Sequence, residues 1–263
     1  MPRMFIFGLG YSAARIAASL ESRGWVVVST GRDGTLAFDD EGAVRLALVD
    51  SSHVLSSVPP GGEGADPVLE RYGAACEGKW LGYLSSTGVY GDCGGAWVDE
   101  SAPVGSGRRT ARADCEAEWL DRGARVFRLP GIYGPARSAL DRVREGKAHR
   151  IDIPAQVFSR VHVDDIAAGV VAALDAPPGA YNLADDLPCS QNRVIEEACR
   201  LLGLEPPPLQ SLEAANLSPM ALGFYAENRR VANGKAKRVL GWTPRYRTYR
   251  EGLAACLGAE GDD

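Results

Sequence analysis

Short apolar runs alternate with amphipathic segments along the first half of the chain. Residues 3–7 predict a buried strand, and residues 12–23 place their apolar side chains at helical spacing on one face. Gly24 ends this helix, and the Val-rich run 25–28 suits a second buried strand. The alternation continues as far as Leu129. It predicts an α/β fold with a doubly wound parallel sheet and helices on both faces.

The second half of the chain is less regular. Asp164 can cap a helix that carries Ile166 and Val170 on its core face, and residues 180–183 predict another strand. Ser190 can cap a further helix.

The composition narrows the class of protein. Of the 263 residues, 45% are apolar and 24% are charged, values typical of a globular protein with a core. The 29 basic and 34 acidic residues argue against a broad nucleic-acid surface. No apolar run approaches the ~18 residues of a membrane span, and the short N-terminal run does not predict a secretory peptide. The six cysteines are scattered and the chain has three histidines, so the sequence predicts no metal site. It predicts free thiols in a reducing cytoplasm.

A glycine-rich turn joins the first predicted strand to the first predicted helix. The segment from residue 8 to residue 13 has the pattern G-x-G-x-x-A, which in this context predicts a dinucleotide-binding turn. The diphosphate is expected on the N–H groups at the helix N-terminus. The predicted cofactor contacts in this turn are Gly8, Gly10, Tyr11, Ser12 and Ala13. The alternative is a turn that binds nothing.

The end of the second strand bears on the choice of cofactor. An NAD site usually has Asp or Glu there, whereas this chain has Arg32, which can pair with a 2′-phosphate. We therefore expect NADP, with NAD as the alternative because Asp33 follows directly. A third alternative is that Arg32 is solvated and contacts no ligand.

Several later segments resemble the NAD-dependent epimerase/dehydratase family, the extended and atypical short-chain dehydrogenases/reductases. They are SSTGVYG at residues 85–91, RLPGIYGP at 128–135, RVHVDDIA at 160–167, YNLA at 181–184 and LGWTP at 240–244. The resemblance implies a Rossmann domain over residues 1–130, to which residues 158–184 return. It also implies a smaller C-terminal lobe over residues 131–263 that forms the substrate cleft.

The resemblance implies a catalytic Ser or Thr, followed by Tyr-x-x-x-Lys on the next helix. Ser86 matches the first position and Thr87 is adjacent, although both residues can equally be polar caps. Thr110 and Asp114 fall on the Tyr and Lys positions, in a register uncertain by one or two residues. No Tyr in the chain is followed four residues later by Lys, so the usual proton relay is absent.

Other residues are candidates for the site. Arg108, Arg109 and Arg112 start the same helix and can stabilise an anion, whereas arginine is a poor general acid. Tyr133 is a candidate catalytic acid. Tyr90 is a candidate substrate contact. Arg160 is expected to bind a substrate phosphate or to pair with a carboxylate.

Ligands of a doubly wound fold bind beyond the carboxyl ends of the strands, which predicts further cofactor contacts. Loop packing alone is the alternative for these positions. The predicted contacts are Ser56, Ser57 and Val58 beside the ribose, and Leu129, Pro130, Gly131 and Ile132 beside the nicotinamide.

Two functions follow from these features. The first is an NADP-dependent oxidoreductase or epimerase-like enzyme that acts on a small polar substrate or a sugar nucleotide. The second is a non-catalytic dinucleotide-binding sensor or regulatory protein. Either is expected as a monomer or homodimer, with no nucleic-acid or membrane partner.

Overall fold

A six-stranded parallel sheet forms the centre of the computed structural model, which describes residues 1–62, 64–107 and 110–259. Its strands are β1 (Arg3–Phe7), β2 (Val26–Ser29), β3 (His53–Ser56), β4 (Trp80–Ser86), β6 (Arg125–Leu129) and β10 (Gly179–Asn182). Their order across the sheet is β10-β6-β4-β3-β1-β2. The order reverses beside β1, so the carboxyl ends of β1 and β3 border the crevice in which this fold class binds ligands. The predicted fold class is confirmed.

Helices cover both faces of the sheet, as the periodicity predicts. The helices are α1 (Tyr11–Glu21), α2 (Glu41–Val49), α3 (Pro67–Tyr72), α4 (Thr110–Asp121), α5 (Ala139–Arg144), α6 (Val163–Ala172), α7 (Gln191–Leu202), α8 (Pro219–Tyr225), α9 (Gly234–Leu240) and α10 (Tyr249–Ala259). One core cluster packs α1 and α6 on the sheet, and a second packs α2, α3 and α4 on the opposite face.

Three two-stranded parallel pairs lie outside the main sheet. They are β5 (Trp97–Val98) with β12 (Arg230–Val231), β7 (Gly131–Tyr133) with β9 (Arg160–His162), and β8 (Arg150–Ile151) with β11 (Leu209–Gln210). A third core cluster joins α5, α7 and α10 beside them. These pairs place residues from the second half of the chain over the carboxyl edge of the sheet.

The second half also contributes to the sheet and its core. Strand β10 pairs with β6, and α6 packs against α1. The side chain of His162, rather than the predicted Asp164, caps α6 by accepting a hydrogen bond from the Asp164 N–H at 3.2 Å. None of the helices within the described ranges is long and apolar enough to cross a membrane.

Candidate functional site

The glycine turn after β1 is held by hydrogen bonds to two neighbouring strand ends. Gly8 has φ +83°, a conformation that favours glycine, and its N–H donates to Thr30 Oγ1 at 3.2 Å. The Leu9 N–H donates to the Thr30 carbonyl at 2.7 Å, and the Ser57 hydroxyl donates to the Gly8 carbonyl. The turn is therefore fixed in shape by backbone and side-chain contacts.

Gly10 leaves the N-terminus of α1 open. It is the N-cap residue, and no side chain caps the helix. A Cβ built on Gly10 meets no atom within 4 Å, so the space above the helix end is clear. The first N–H groups of a helix have no intrahelical partner, and the helix dipole favours an anion there. The turn therefore fits a diphosphate.

A cleft of about 630 Å³ begins at this turn and continues between the sheet and the second half of the chain. We name two parts of it. The sheet end is formed by residues 10–13, 57, 84–88, 112, 129–132 and 137. The lobe end is formed by residues 142, 149, 157–160, 191, 195, 217, 221, 224, 225, 227, 229 and 231. One cavity thus joins the glycine turn to side chains from the second half of the chain.

Most of the predicted site residues line this cleft together. They are Gly10, Tyr11, Ser12, Ala13, Ser57, Ser86, Thr87, Leu129, Pro130, Gly131, Ile132 and Arg160. Gly8 is part of the turn but does not line the cleft. Ser56 and Val58 lie behind the turn: Ser56 is fully buried, and Val58 packs where a Cβ on Gly8 would lie. Arg32 is exposed on the turn after β2 and is not part of the lining.

Ser86 and Thr87 lie at the carboxyl end of β4 and face the cleft. The Ser86 hydroxyl oxygen accepts a hydrogen bond from the Gly88 N–H at 3.1 Å, so its own proton is available to a ligand. Both expected roles, polar cap and ligand contact, are compatible with this position.

Helix α4 presents Arg112 to the cleft. Arg112 Nη1 donates to the Tyr83 hydroxyl at 3.1 Å and to the Leu84 carbonyl at 3.2 Å. Thr110 and Asp114 are exposed and do not line the cleft, so the register that gives them the relay positions does not bring relay residues to it. A shift of two residues, within the range left open by the sequence, places Arg112 on the Lys position.

The Tyr position in that register is Arg108. Arg108 and Arg109, both named as candidate anion-stabilising residues, lie outside the described residues.

Tyr90 belongs to a buried network behind the cleft rather than to its lining. Its hydroxyl accepts from Arg128 Nη1 and donates to Asn182 Oδ1, both at 2.8 Å. Arg128 Nη2 donates to Glu116 Oε1 at 2.6 Å, and the Ser85 hydroxyl donates to Glu116 Oε2 at 2.6 Å. Burial raises the pKa of Tyr90 to about 12. The Tyr90 hydroxyl group already accepts one hydrogen bond and donates another inside this network. The prediction of Tyr90 as a substrate contact is therefore not supported.

Tyr133 also lies outside the cleft. It packs in the third core cluster with an exposure of 8%, and its ring meets His162 edge-on at 5.2 Å. A Cβ on Gly252 would overlap its hydroxyl, which shows how closely α10 covers the phenol. Burial raises its pKa above the ordinary tyrosine value. Because Tyr133 does not line the cleft, it is not placed to be a catalytic acid.

Arg160 reaches the lobe end from β9. Its guanidinium donates to the Phe158 carbonyl at 3.0 Å, to Gln191 Oε1 at 3.2 Å and to Cys189. No carboxylate within the described ranges lies at ion-pair distance from it, so the predicted carboxylate pair is absent there. The group is a fixed positive charge at the wall of the cleft.

The sequence did not indicate most of the lobe end. Its wall combines the rings of Phe158, Phe224 and Tyr225 with the guanidinium groups of Arg142 and Arg229. The i, i+3, i+4 spacing of Ala221, Phe224 and Tyr225 on α8 is the one signal that was available. In the described ranges, no group of three His, Cys, Asp or Glu side chains is arranged to hold a metal ion.

Comparisons with known proteins agree with this architecture. No family model matches the chain. It is 34% identical over 178 residues to the 3-diazoavenalumate denitrifying reductase of a Streptomyces species, a match that covers 59% of this chain and only 58% of the reductase. It matches a solved UDP-glucose 4-epimerase of Thermus thermophilus, in complex with NAD, at 19% identity and TM-score 0.71 over 98% of this chain and 99% of the epimerase.

A nearer match covers both chains almost completely. The solved structure of a functionally unknown conserved protein from Silicibacter pomeroyi DSS is 38% identical, with TM-score 0.87 over 98% of this chain and 99% of that one. The chain therefore belongs to the same family as the Silicibacter pomeroyi protein, with the fold of the NAD-dependent epimerases and dehydratases.

Proposed function

We propose that this protein is a nicotinamide-dinucleotide-dependent oxidoreductase, and that it acts as a reductase of a small molecule held in the lobe end of the cleft. The observation that carries the proposal is the continuous cleft from Gly10 past Ser86 to Arg160. A dinucleotide on the turn and a substrate in the lobe end would meet inside one cavity. The name of the Streptomyces relative, a reductase, supports this direction of reaction.

The residues at the sheet end fit a dinucleotide. The open helix end at Gly10 suits the diphosphate, and residues 129–132 line the wall at the carboxyl end of β6. We propose NADP over NAD because Arg32 offers a guanidinium at the end of β2. A dinucleotide bound there would supply the hydride.

The side chains beside the hydride acceptor stabilise charge rather than relay a proton. The Ser86 hydroxyl can donate a hydrogen bond to the substrate atom that receives the electron pair. Arg112 places a guanidinium group in the same part of the cleft, where it can stabilise negative charge. This set suits an electron-poor acceptor whose reduced product takes its proton from water, since neither residue is an effective general acid.

Gly10→Glu tests the proposal. The free protein has room for the new side chain, whose carboxylate would occupy the diphosphate position and repel it. We expect loss of NADPH binding, measured by cofactor fluorescence, with the thermal unfolding midpoint of the free protein retained. Gly258→Glu adds the same charge at a helical glycine with equal space, and should bind as the parent does.

A missing proton relay also favours the second candidate, a dinucleotide sensor. Turnover separates the two: NADPH oxidation that depends on an added acceptor and falls at least tenfold in Ser86→Ala supports the reductase. Tight binding of NADPH with no turnover across a broad panel of acceptors supports the sensor. Absence of any dinucleotide binding refutes both.

A further inference from the structure

The lobe end of the cleft combines an apolar wall with an excess of positive charge. We propose that it binds a small organic acid, with an aromatic-sized apolar body against α8 and a carboxylate facing Arg142. This inference rests on the proposed function, because it names the substrate class of the same cleft. Sugar nucleotides, expected from the family resemblance, are the class that it replaces.

The aromatic side chains of the apolar wall suit a flat, apolar ligand group. Phe158 and Tyr225 pack edge-to-face with ring centroids 5.5 Å apart, which holds both rings in place. Phe224 lines the same wall and keeps 45% of its surface exposed. An aromatic side chain that faces a cavity in this way gains free energy when an apolar ligand covers it.

The charges of the lobe end are unbalanced. Among the described residues that line it, three are arginines, Arg142, Arg160 and Arg229, and one is a carboxylate, Glu227. Arg229 is already committed, because its Nη1 donates to Glu227 Oε2 at 2.9 Å and to the Gly91 carbonyl. Arg160 is held by backbone and amide acceptors.

Arg142 is the arginine best placed to receive an acid. It is exposed, and its hydrogen bond to the Lys147 carbonyl is long, at 3.4 Å. Burial raises the pKa of Tyr225, and the charges of Arg142 and Arg160 oppose this, so both guanidinium groups lie near that ring. The charge and the aromatic wall therefore share one end of the cleft.

The size of the cleft favours a compact acid over a sugar nucleotide. Its volume of about 630 Å³ is in the range that holds one drug-sized ligand, roughly 300–1,000 Å³. The nicotinamide half of the cofactor would take the sheet end. Only the lobe end then remains for the substrate, which favours a compact acid over a sugar nucleotide.

Binding of cinnamate, its neutral amide cinnamamide, and UDP-glucose tests the inference by calorimetry, with and without saturating NADPH. We expect cinnamate to bind more tightly than either other ligand. Arg142→Ala should weaken the binding of cinnamate roughly tenfold, since a charge-assisted hydrogen bond is lost, and should leave the binding of cinnamamide unchanged. Arg144→Ala removes the same charge from the same helix outside the cleft lining, and should have no effect.

A second pair of variants tests the apolar wall. Phe224→Ala should weaken the binding of both cinnamate and cinnamamide at least fivefold. Leu222→Ala, on the same helix, comparably exposed at 38% and outside the cleft lining, should change neither. Equal affinity for the acid and its amide, or tighter binding of UDP-glucose, overturns the inference. Cinnamate binding without any NADPH binding would refute the proposed function and leave this inference standing.

Discussion

Asp185 is a buried carboxyl group that the folded protein holds at a cost. It is 2% exposed, and its Oδ2 atom has no hydrogen-bond partner among the described residues. Burial raises the pKa of Asp185 to about 7, against the opposing charge of Arg160. A folded-state pKa above the unfolded value means that the folded protein binds the proton more tightly than the unfolded chain. Proton binding to Asp185 therefore adds to the free energy of unfolding. This contribution is complete below about pH 4 and is lost as the pH rises to about 7.

We therefore predict that Asp185→Asn changes the pH dependence of stability. The variant should gain stability over the parent progressively from pH 4 to pH 7, by up to about 4 kcal/mol, and the difference should stay constant at higher pH. Urea unfolding of both proteins across this range measures it. The opposite contribution of His162, whose pKa burial lowers to about 4, cancels because both proteins share it. A difference that does not vary with pH contradicts the assignment, and Asp152→Asn serves as the exposed-acid control.

Arg32 decides the proposed cofactor preference. Arg32→Ala should weaken NADP binding roughly tenfold and leave NAD binding unchanged, because only NADP has the 2′-phosphate. Isothermal titration with both cofactors measures the two affinities. Asp33→Asn tests the alternative that Asp33 binds a ribose hydroxyl group of NAD. In that case this variant weakens the binding of NAD, and Arg32 has no role in cofactor preference.

Residue identity and spacing could not show which tyrosines face the cleft. Tyr90 and Tyr133 both lie in family-like segments, but contacts with Arg128 and α10, distant in sequence, bury their hydroxyl groups. The glycine turn was accessible to prediction, because its residues are consecutive in sequence and Gly8 adopts a positive φ that favours glycine. The roles of its residues in binding stay predictions.

At the scale of single elements, α4 is joined to the sheet by a buried ion pair. Glu116 and Arg128 are 1% and 4% exposed, and Ser85 and Tyr90 supply further hydrogen bonds to them. A buried charge that keeps its partner is tolerated, whereas one that loses it is strongly destabilising. The network fixes the position of α4, and with it Arg112 at the cleft.

Glu116→Gln should therefore destabilise the protein by about 3–5 kcal/mol, because the Arg128 charge stays buried without its partner. Glu118→Gln, on the exposed face of the same helix, should change stability by less than about 0.5 kcal/mol. Urea denaturation measures both variants. Equal effects would show that the buried pair does not stabilise the fold.

The helix face also explains why the sequence left the relay register open. Apolar periodicity located α4, but a helix boundary from sequence is uncertain by a few residues, and two residues turn a helix by more than half a revolution. Glu116, a charged residue on the core face, has no counterpart in an apolar pattern. The ion pair with Arg128 is visible only when α4 and β6 are placed side by side.

At the scale of the whole molecule, the alternating pattern predicted the sheet and its two layers of helices. The pattern was sufficient because each crossover from strand to helix is local in sequence. The lobe end was not predictable in this way. It unites segments near Arg142, Phe158 and Phe224, whose contacts with one another depend on the complete fold.

The core also unites the two ends of the chain, which bears on how the protein unfolds. One cluster contains Met4 and Ile16 from the first segments together with Trp242 from the last. Trp242 is 3% exposed, and its Nε1 donates to the Asp165 carbonyl at 3.0 Å. The two predicted lobes thus share buried surface, so we expect them to unfold together.

We predict one unfolding transition, coincident in far-ultraviolet circular dichroism and in tryptophan fluorescence. Trp242→Ala should lower the stability of the whole transition by about 3–5 kcal/mol, whereas Trp97→Ala, at an exposed position, should have little effect. NADPH should raise the midpoint of the same single transition, because a ligand that binds only the folded state stabilises everything that unfolds with its site. Two separate transitions, with only one shifted by NADPH, would instead show that the lobe folds independently of the sheet.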